Sequence, residues 1–189
     1  VVYFQDFGAP VGFRLMMRDP SRVRGFISQN GNAYIEGIAP AKLDFFRRAG
    51  SDRSDSNVKA LFEFTGPNAI RDQQYLRDVA HSPEIMSPDA WTIDSHHLES
   101  RDERLIQVQL FQDYTSNLDA YPAWQAHLRK HRPPALLVWG RNDPVFTPTG
   151  ARAYLRDLPE ARLVLLDAGH FAVEERPVDI AKEIIRFMD

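Results

Sequence analysis

Short apolar runs separated by one helical stretch constrain the fold of this chain most. VVYFQ at 1–5 and GFISQNG at 25–31 are rich in β-branched and aromatic residues, as buried strands are. Between them, VGFRLMMR at 11–18 places Val11, Leu15 and Arg18 on one face of a helix, which predicts a helix that runs to about Arg18. A strand, helix and strand with short connections require parallel strands, so this unit predicts a parallel sheet with a right-handed crossover.

The same alternation returns near the other end of the chain. Two apolar strands, each with a polar loop and a following helix, are predicted by PPALLVWGRNDPVF at 133–146, TPTGARAYLRDLP at 147–159, ARLVLLDAGHF at 161–171 and PVDIAKEIIRFMD at 177–189. The Thr-Pro pair that opens the second of these segments is typical of a helix start. We therefore assign residues 1–33 and 133–189 to one α/β core.

The middle of the chain, residues 34–132, has a different composition. It is polar, helical in pattern and punctuated by proline, and it contains no run typical of a buried strand. A structureless loop of this length inside a domain would be improbable. We therefore interpret 34–132 as a helical cap, and we expect an α/β fold in which helices flank a parallel sheet and the cap is an insertion.

Charge and composition exclude several kinds of partner. The 23 basic and 26 acidic residues give a formal net charge of -3, which offers no basic field to nucleic acid or to an anionic membrane. The chain has no cysteine, and the adjacent His96 and His97 lack metal-ligand spacing. No apolar run approaches the roughly 18 residues of a membrane span. We expect a cytoplasmic protein without metal or cofactor, and its oligomeric state stays open.

Three polar residues directly follow predicted strands: Asp6, Asp143 and His170. Ligands bind at the carboxyl edge of strands in open α/β sheets, so we expect these side chains to meet there. Singly, Asp6 could cap the next helix, Asp143 could be a turn residue and His170 could be a hydrogen-bonded loop histidine. All three in one chain predict a functional site.

The segments FQDFGA, LLVWGRNDPVF and LLDAGHFAVEERP resemble the nucleophile, acid and histidine motifs of the α/β-hydrolase superfamily, in that chain order. The first segment departs from the G-x-S-x-G elbow, because Phe4 replaces the first glycine and Asp6 replaces serine. It is similar there to epoxide hydrolases and haloalkane dehalogenases, which carry aspartate at the elbow. The resemblance implies a triad of Asp6, Asp143 and His170. It also implies that the backbone N–H of Phe7 is one oxyanion donor.

An aspartate at the elbow selects the electrophile of the substrate. A carboxylate that attacks an ester gives an anhydride, whereas one that attacks a saturated carbon gives an ordinary ester that water can cleave. A carboxylate is ionised at neutral pH without an assisting base, so Asp6 would need none. His170 would then deprotonate the water that hydrolyses the ester, while Asp143 orients its ring.

The leaving group depends on the cap. An epoxide leaves an alkoxide that a tyrosine can protonate, and Tyr75 is our first choice, although packing tyrosines are more frequent. Haloalkane dehalogenases place a halide-binding tryptophan directly after the nucleophile, where this chain has Phe7. We therefore expect hydrolysis of a small apolar epoxide, with carbon–halogen hydrolysis or a noncatalytic binding module as alternatives. A serine esterase is disfavoured because no serine occupies the elbow.

The sequence starts inside an apolar strand, with no Met before it. In the family that the motifs resemble, further strands precede the nucleophile strand, and one of their loops supplies the second oxyanion donor. We expect such strands upstream of residue 1. They would cover the edge of the first strand, since a hydrophobic edge in water promotes aggregation.

Overall fold

A computed structural model describes residues 1–79 and 83–189 of the chain. Four strands form one sheet in chain order: β1 (Val2–Gln5), β2 (Phe26–Gln29), β3 (Ala135–Gly140) and β4 (Arg162–Leu166). All three pairings are parallel, so the predicted parallel sheet is confirmed. The carboxyl ends of the four strands consequently meet at one edge.

Helices flank this sheet and fill the segment between β2 and β3. In chain order they are α1 (Gly8–Arg18), α2 (Pro40–Ser51), α3 (Asp55–Phe64), α4 (Pro67–Ala69), α5 (Pro88–His97), α6 (Arg101–Asp113), α7 (Thr115–His131), α8 (Pro148–Asp157), α9 (Ala172–Glu175) and α10 (Pro177–Met188). A π-helix spans Ile70–Tyr75, and 3₁₀ turns span Pro20–Arg22, Ile35–Gly37 and Pro83–Ile85. None of the helices in the described ranges is long and apolar enough to cross a membrane.

Strand β3 lies at the centre of the core. All of its residues are buried, as in a strand covered by helices on both faces. Trp139 has no exposed surface, and its Nε1 donates to the Phe146 carbonyl oxygen at 2.7 Å. Because the indole N–H has a partner, the whole ring is buried without leaving a polar group unsatisfied.

Helix α1 ends at Arg18, as the sequence predicts. Val11 and Leu15 are 68% and 42% exposed, whereas Phe13 and Met16 are buried. Phe13 stacks on Trp124 at a ring-centroid distance of 4.9 Å. This aromatic contact sets the rotation of the helix, and the face with Val11 and Leu15 lies towards solvent.

Both ends of the predicted cap pack into the α/β core. Tyr34 is fully buried, and its hydroxyl donates to Asp157 Oδ2 at 2.7 Å. Tyr121 and Trp124 of α7 belong to the same apolar cluster as residues of β3. A separate cluster in the middle helices contains Ala49, Leu61 and Val108. The limits at 34 and 132 therefore fall within shared packing, and as domain boundaries they stay a prediction.

Candidate active site

Asp6 occupies a sharp turn between β1 and α1. Its backbone has a φ of 45°, a left-handed conformation that costs a non-glycine residue about 1–3 kcal/mol. Its carbonyl oxygen accepts a hydrogen bond from the Ala9 N–H at 3.0 Å, so the turn passes directly into the helix. The bend places Asp6 at the carboxyl edge of the sheet, with 37% of its side chain exposed.

The ring of His170 lies between two carboxylates. Its Nδ1 is 2.7 Å from Asp143 Oδ2, and its Nε2 is 3.3 Å from Asp6 Oδ1. Asp143 follows β3 and His170 follows β4, so neighbouring parallel strands deliver both side chains to one place. The structure thus brings together the three side chains that the sequence singles out. Each ring nitrogen is within or close to the distance needed to exchange a proton.

Asp143 is held by several donors. Its side chain is fully buried, its Oδ1 accepts from the N–H groups of Val145 and Phe146 at 2.8 and 3.1 Å, and its Oδ2 accepts from Asn30 Nδ2 at 2.8 Å. Burial acts to raise the pKa of Asp143, but the charge of His170 and these hydrogen bonds outweigh it and lower the pKa. Asp143 is therefore an ionised group with fixed orientation.

Asn30 is a residue of this site that sequence analysis missed. It follows β2, is fully buried and has a φ of 46°. Its Oδ1 accepts from the Gly140 N–H at 3.0 Å while its Nδ2 donates to Asp143, so it ties the end of β2 to the acid. The Asn-Gly pair after the second strand was an available signal, because Asn tolerates the left-handed conformation.

The protonation of His170 is coupled to both carboxylates. Burial alone would lower the pKa of His170, but the charge and hydrogen bond of Asp143, together with Asp6, raise the pKa well above its ordinary value. Neutralising Asp6 removes one of these causes. The pKa of His170 would then fall, although Asp143 would still raise it.

Two side chains hold the backbone of His170. Gln29 Nε2 donates to its carbonyl oxygen at 2.9 Å, and its N–H donates to Asp78 Oδ2 at 2.9 Å. The Asp78 side chain comes from the helical segment between β2 and β3 and is 6% exposed. Burial raises the pKa of Asp78, although the His170 N–H and Arg77 oppose this rise. Sequence analysis missed Asp78 because its partner is 92 residues away.

Phe7 follows Asp6 and lines the site with its ring. Within the described ranges, its backbone N–H donates to no protein acceptor. The ring packs against Phe111 and Tyr114 at centroid distances of 5.4 and 5.3 Å. The Phe7 N–H is therefore next in sequence to Asp6 and has no acceptor among the described protein groups.

Tyr75 lies at the end of the π-helix and is 7% exposed. Its hydroxyl donates to Asp94 Oδ2 at 2.7 Å, and its ring stacks on Phe171 at 4.0 Å. Burial and the Asp94 contact raise the pKa of Tyr75, which keeps the phenol protonated. Its predicted role as a proton donor stays a prediction.

A cavity of about 460 Å³ reaches Asp6 and His170. Its aromatic wall consists of Phe7, Phe45, Phe46, Phe64, Phe111 and Phe171. Its polar side chains, apart from the triad residues, include Lys42, Gln74, Arg77, Asp94, His97 and Gln107. Tyr75 is not among the lining residues in the part of the chain described here. The volume and the largely aromatic wall suit a small organic ligand.

Acidic and histidine side chains do not form a metal site in the described residues, since no group of three or more is placed to hold an ion. His97 lines the cavity, whereas His96 Nδ1 lies 3.9 Å from Glu99 Oε2. The two adjacent histidines thus have different surroundings.

Comparisons with known proteins agree with this geometry. The family model of the alpha/beta hydrolase fold matches residues 5–177 of the chain. An uncharacterized hydrolase of Saccharomyces cerevisiae is 40% identical over 189 residues, which cover 97% of this chain and 64% of the yeast protein. The chain thus spans slightly less than two thirds of that relative.

Solved structures share the fold at low sequence identity. Haloalkane dehalogenase DbeA from Bradyrhizobium elkani has a TM-score of 0.75 at 18% identity, over 98% of this chain and 65% of its own. A mutant of haloalkane dehalogenase DatA from Agrobacterium tumefaciens has a TM-score of 0.76 at 14% identity, over 100% and 66%. A thermophilic esterase from Thermogutta terrifontis has a TM-score of 0.71 at 19% identity, over 100% and 64%. These likenesses confirm the predicted fold class.

Proposed function

This chain belongs to the α/β hydrolase fold family, and we propose that it hydrolyses epoxides through a covalent alkyl ester on Asp6. The observation that carries the proposal is a carboxylate at the elbow, with His170 Nε2 3.3 Å from its oxygen. A carboxylate there reacts productively with a saturated carbon bearing a strained or leaving group. The aromatic wall of the cavity suits the small apolar body of such a substrate.

The first step forms the ester. One oxygen of the Asp6 carboxylate attacks an epoxide carbon, the ring C–O bond breaks, and its electron pair goes to the departing oxygen. That alkoxide takes a proton and becomes a hydroxyl group. The imidazole takes no part in forming the new bond, because the carboxylate is already a nucleophile at neutral pH.

The second step releases the diol. A water molecule attacks the ester carbonyl carbon while His170 Nε2 accepts its proton, and Asp143 stabilises the imidazolium. The developing oxyanion receives a hydrogen bond from the Phe7 N–H. The tetrahedral intermediate then collapses, and the alcohol leaves with the proton that His170 took from water. Asp6 is left as a carboxylic acid, whose remaining proton returns to the group that protonated the alkoxide, and both groups are regenerated.

Ester formation itself prepares the base. The Asp6 charge is one of the causes that raise the pKa of His170, and the ester removes that charge. The pKa of His170 therefore falls when the covalent intermediate forms, which is when an unprotonated imidazole is required. Loss of the Asp6 charge in the first step thus favours the neutral imidazole that the second step requires.

The alkoxide formed in the first step needs a proton donor, and two tyrosines are candidates. Tyr75 is our predicted donor, and its hydroxyl would have to exchange Asp94 for the substrate oxygen. Tyr114 is a second candidate by position, because its ring lies 5.3 Å from that of Phe7, the residue that follows Asp6. Burial raises the pKa of Tyr114, which makes it a weaker acid.

Carbon–halogen hydrolysis is the alternative, because the same carboxylate could displace a halide. In the described part of the chain no tryptophan lines the cavity, and Phe7 follows Asp6, so the indole N–H donors of a tryptophan halide site are missing there. A noncatalytic pocket is the other alternative. It would not require His170 to contact both carboxylates.

The test is a matched substrate panel. Styrene oxide, a primary bromoalkane and an aryl acetate are given to the protein and to Asp6→Ala, with Asp44→Ala as an exposed control on α2. We expect diol from the epoxide, loss of about 10⁴-fold or more in Asp6→Ala, and no effect of the control. Faster turnover of the bromoalkane would favour the alternative, and no turnover of either by folded protein would contradict the proposal.

A further inference from the structure

Two cationic side chains line the cavity without a task in the proposed reaction. Lys42 comes from α2, and Arg77 follows the π-helix, so different parts of the cap contribute them. Both share the cavity with the Asp6 carboxylate and His170. A wall that is otherwise mainly aromatic thus carries two positive charges.

Lys42 has aromatic neighbours and no carboxylate partner in the described residues. Its Nζ lies 5.7 Å from the ring centroids of both Phe45 and Phe64, which also line the cavity. Burial, followed by the positive charge of Arg77, lowers the pKa of Lys42. The ammonium group is therefore partly desolvated and repelled by a second cation, and a bound anion would relieve both costs.

Arg77 is only partly neutralised. Its Nη2 lies 3.8 Å from Asp78 Oδ2, the oxygen that also accepts the His170 N–H at 2.9 Å. The carboxylate of Asp78 is thus shared between two donors, and 27% of the Arg77 side chain remains exposed. The guanidinium has unused N–H groups that suit an oxygen anion.

The other charged groups of the cavity do not compensate Lys42 and Arg77. Asp94 accepts the Tyr75 hydroxyl at 2.7 Å, and Asp6 has to remain available for the electrophilic carbon. In the described residues, Asp78 is the one carboxylate within ion-pair distance of either cation. The two oxygens of a substrate carboxylate could accept hydrogen bonds from both Lys42 and Arg77.

We propose that Lys42 and Arg77 form a subsite for a carboxylate on the substrate, so that the protein acts on epoxides whose apolar body carries an acid group. The inference rests on the proposed function, because it places the acid relative to an epoxide carbon attacked by Asp6. The aromatic wall contacts the apolar body, and the two cations fix the end remote from the ring. A substrate held in this way presents an epoxide carbon to Asp6, so epoxides that carry the acid group react faster.

The test compares 4-(oxiran-2-yl)benzoate with 4-(oxiran-2-yl)benzamide, which share shape and epoxide but differ in charge. We expect kcat/KM to be at least about ten-fold higher for the acid, mainly through KM, since hydrogen bonds to charged groups are the stronger ones. Lys42→Met and Arg77→Met each reduce this preference several-fold, and Lys42→Arg preserves it. Lys59→Met, an exposed change on α3, leaves the preference unchanged.

The outcomes separate the two proposals. Equal kcat/KM for acid and amide in the unsubstituted protein, or a preference for the amide, overturns the carboxylate subsite while epoxide hydrolysis stands. A preference for the acid that survives both Lys42→Met and Arg77→Met also overturns it. If neither epoxide is hydrolysed and neither modifies Asp6, the proposed function fails and the subsite fails with it.

Discussion

At the residue scale, the site depends on two non-glycine residues in left-handed conformations. Asp6 has a φ of 45° and Asn30 a φ of 46°, each directly after a strand. Such a conformation is unfavourable and persists only when surrounding contacts fix it. These backbone conformations orient the two side chains: Asp6 points towards His170, and Asn30 points towards Asp143.

Substitutions at Asp6 measure this strain. We expect Asp6→Gly to be more stable than Asp6→Ala by about 1 kcal/mol in free energy of unfolding, because only glycine adopts a positive φ freely. Both variants lack the carboxylate, so the difference between their free energies of unfolding reports the cost of the backbone conformation at residue 6. At Asp44, inside exposed helix α2, the order should reverse, with alanine better by about 0.5–1 kcal/mol. Equal free energies of unfolding for the two Asp6 variants in urea denaturation would show that the backbone at residue 6 is not strained.

Individual residues were predictable to different degrees. Asp6, Asp143 and His170 could be singled out because each is a polar residue that ends an apolar strand, which is a local pattern. Asn30 and Asp78 could not, because their contacts join segments 113 and 92 residues apart. The pair of cations in the cavity likewise depends on how the cap folds over the sheet.

At the element scale, the cap is joined to the histidine loop by a backbone hydrogen bond. The N–H of His170 donates to the buried carboxylate of Asp78, so the loop between β4 and α9 is positioned partly by a cap residue. A lost acceptor here would leave a buried N–H unsatisfied, which costs about 1–3 kcal/mol. The cap thus affects the base as well as the shape of the cavity.

Asp78→Ala tests this connection. We expect faster amide hydrogen exchange at His170 and a lower kcat, because the imidazole loses part of its positioning. Asp78→Asn keeps an oxygen acceptor, so its His170 exchange rate and its kcat should both stay close to those of the unsubstituted protein. Asp72→Ala, which removes an exposed carboxylate paired with its neighbour Arg71, serves as the control. Unchanged exchange at His170 in Asp78→Ala would show that the cap does not hold the loop.

Elements were predicted better than their faces. The four strands followed from apolar runs bounded by polar turns, and all of them were found. The sequence predicted the extent of α1 but not its buried face, because stacking of Phe13 on Trp124 fixes the rotation and α7 is distant in sequence. Periodicity identifies a helix, but packing partners decide which side is buried.

At the scale of the whole molecule, a parallel sheet positions Asp6, Asp143 and His170, and the helical segment between β2 and β3 provides most of the cavity wall. The fold class followed from the order of strands and motifs, which is a property of the whole chain. The limits of the predicted cap could not follow in the same way, because Tyr34 and Trp124 pack into the core from within that segment. Residues from both parts line the cavity, so the proposed selectivity depends on how they pack together.

The central claim is that Asp6 forms an ester that His170 helps to hydrolyse. His170→Gln should leave the first step largely intact and slow the second by about 10²–10⁴-fold, the usual contribution of a positioned general base. After mixing with styrene oxide, intact mass spectrometry should therefore show the protein plus one substrate, with the added mass mapped by peptide analysis to Asp6. The double variant Asp6→Ala/His170→Gln should stay unmodified. An adduct on another residue, or none on His170→Gln while the unsubstituted protein still turns over the epoxide, would contradict the account.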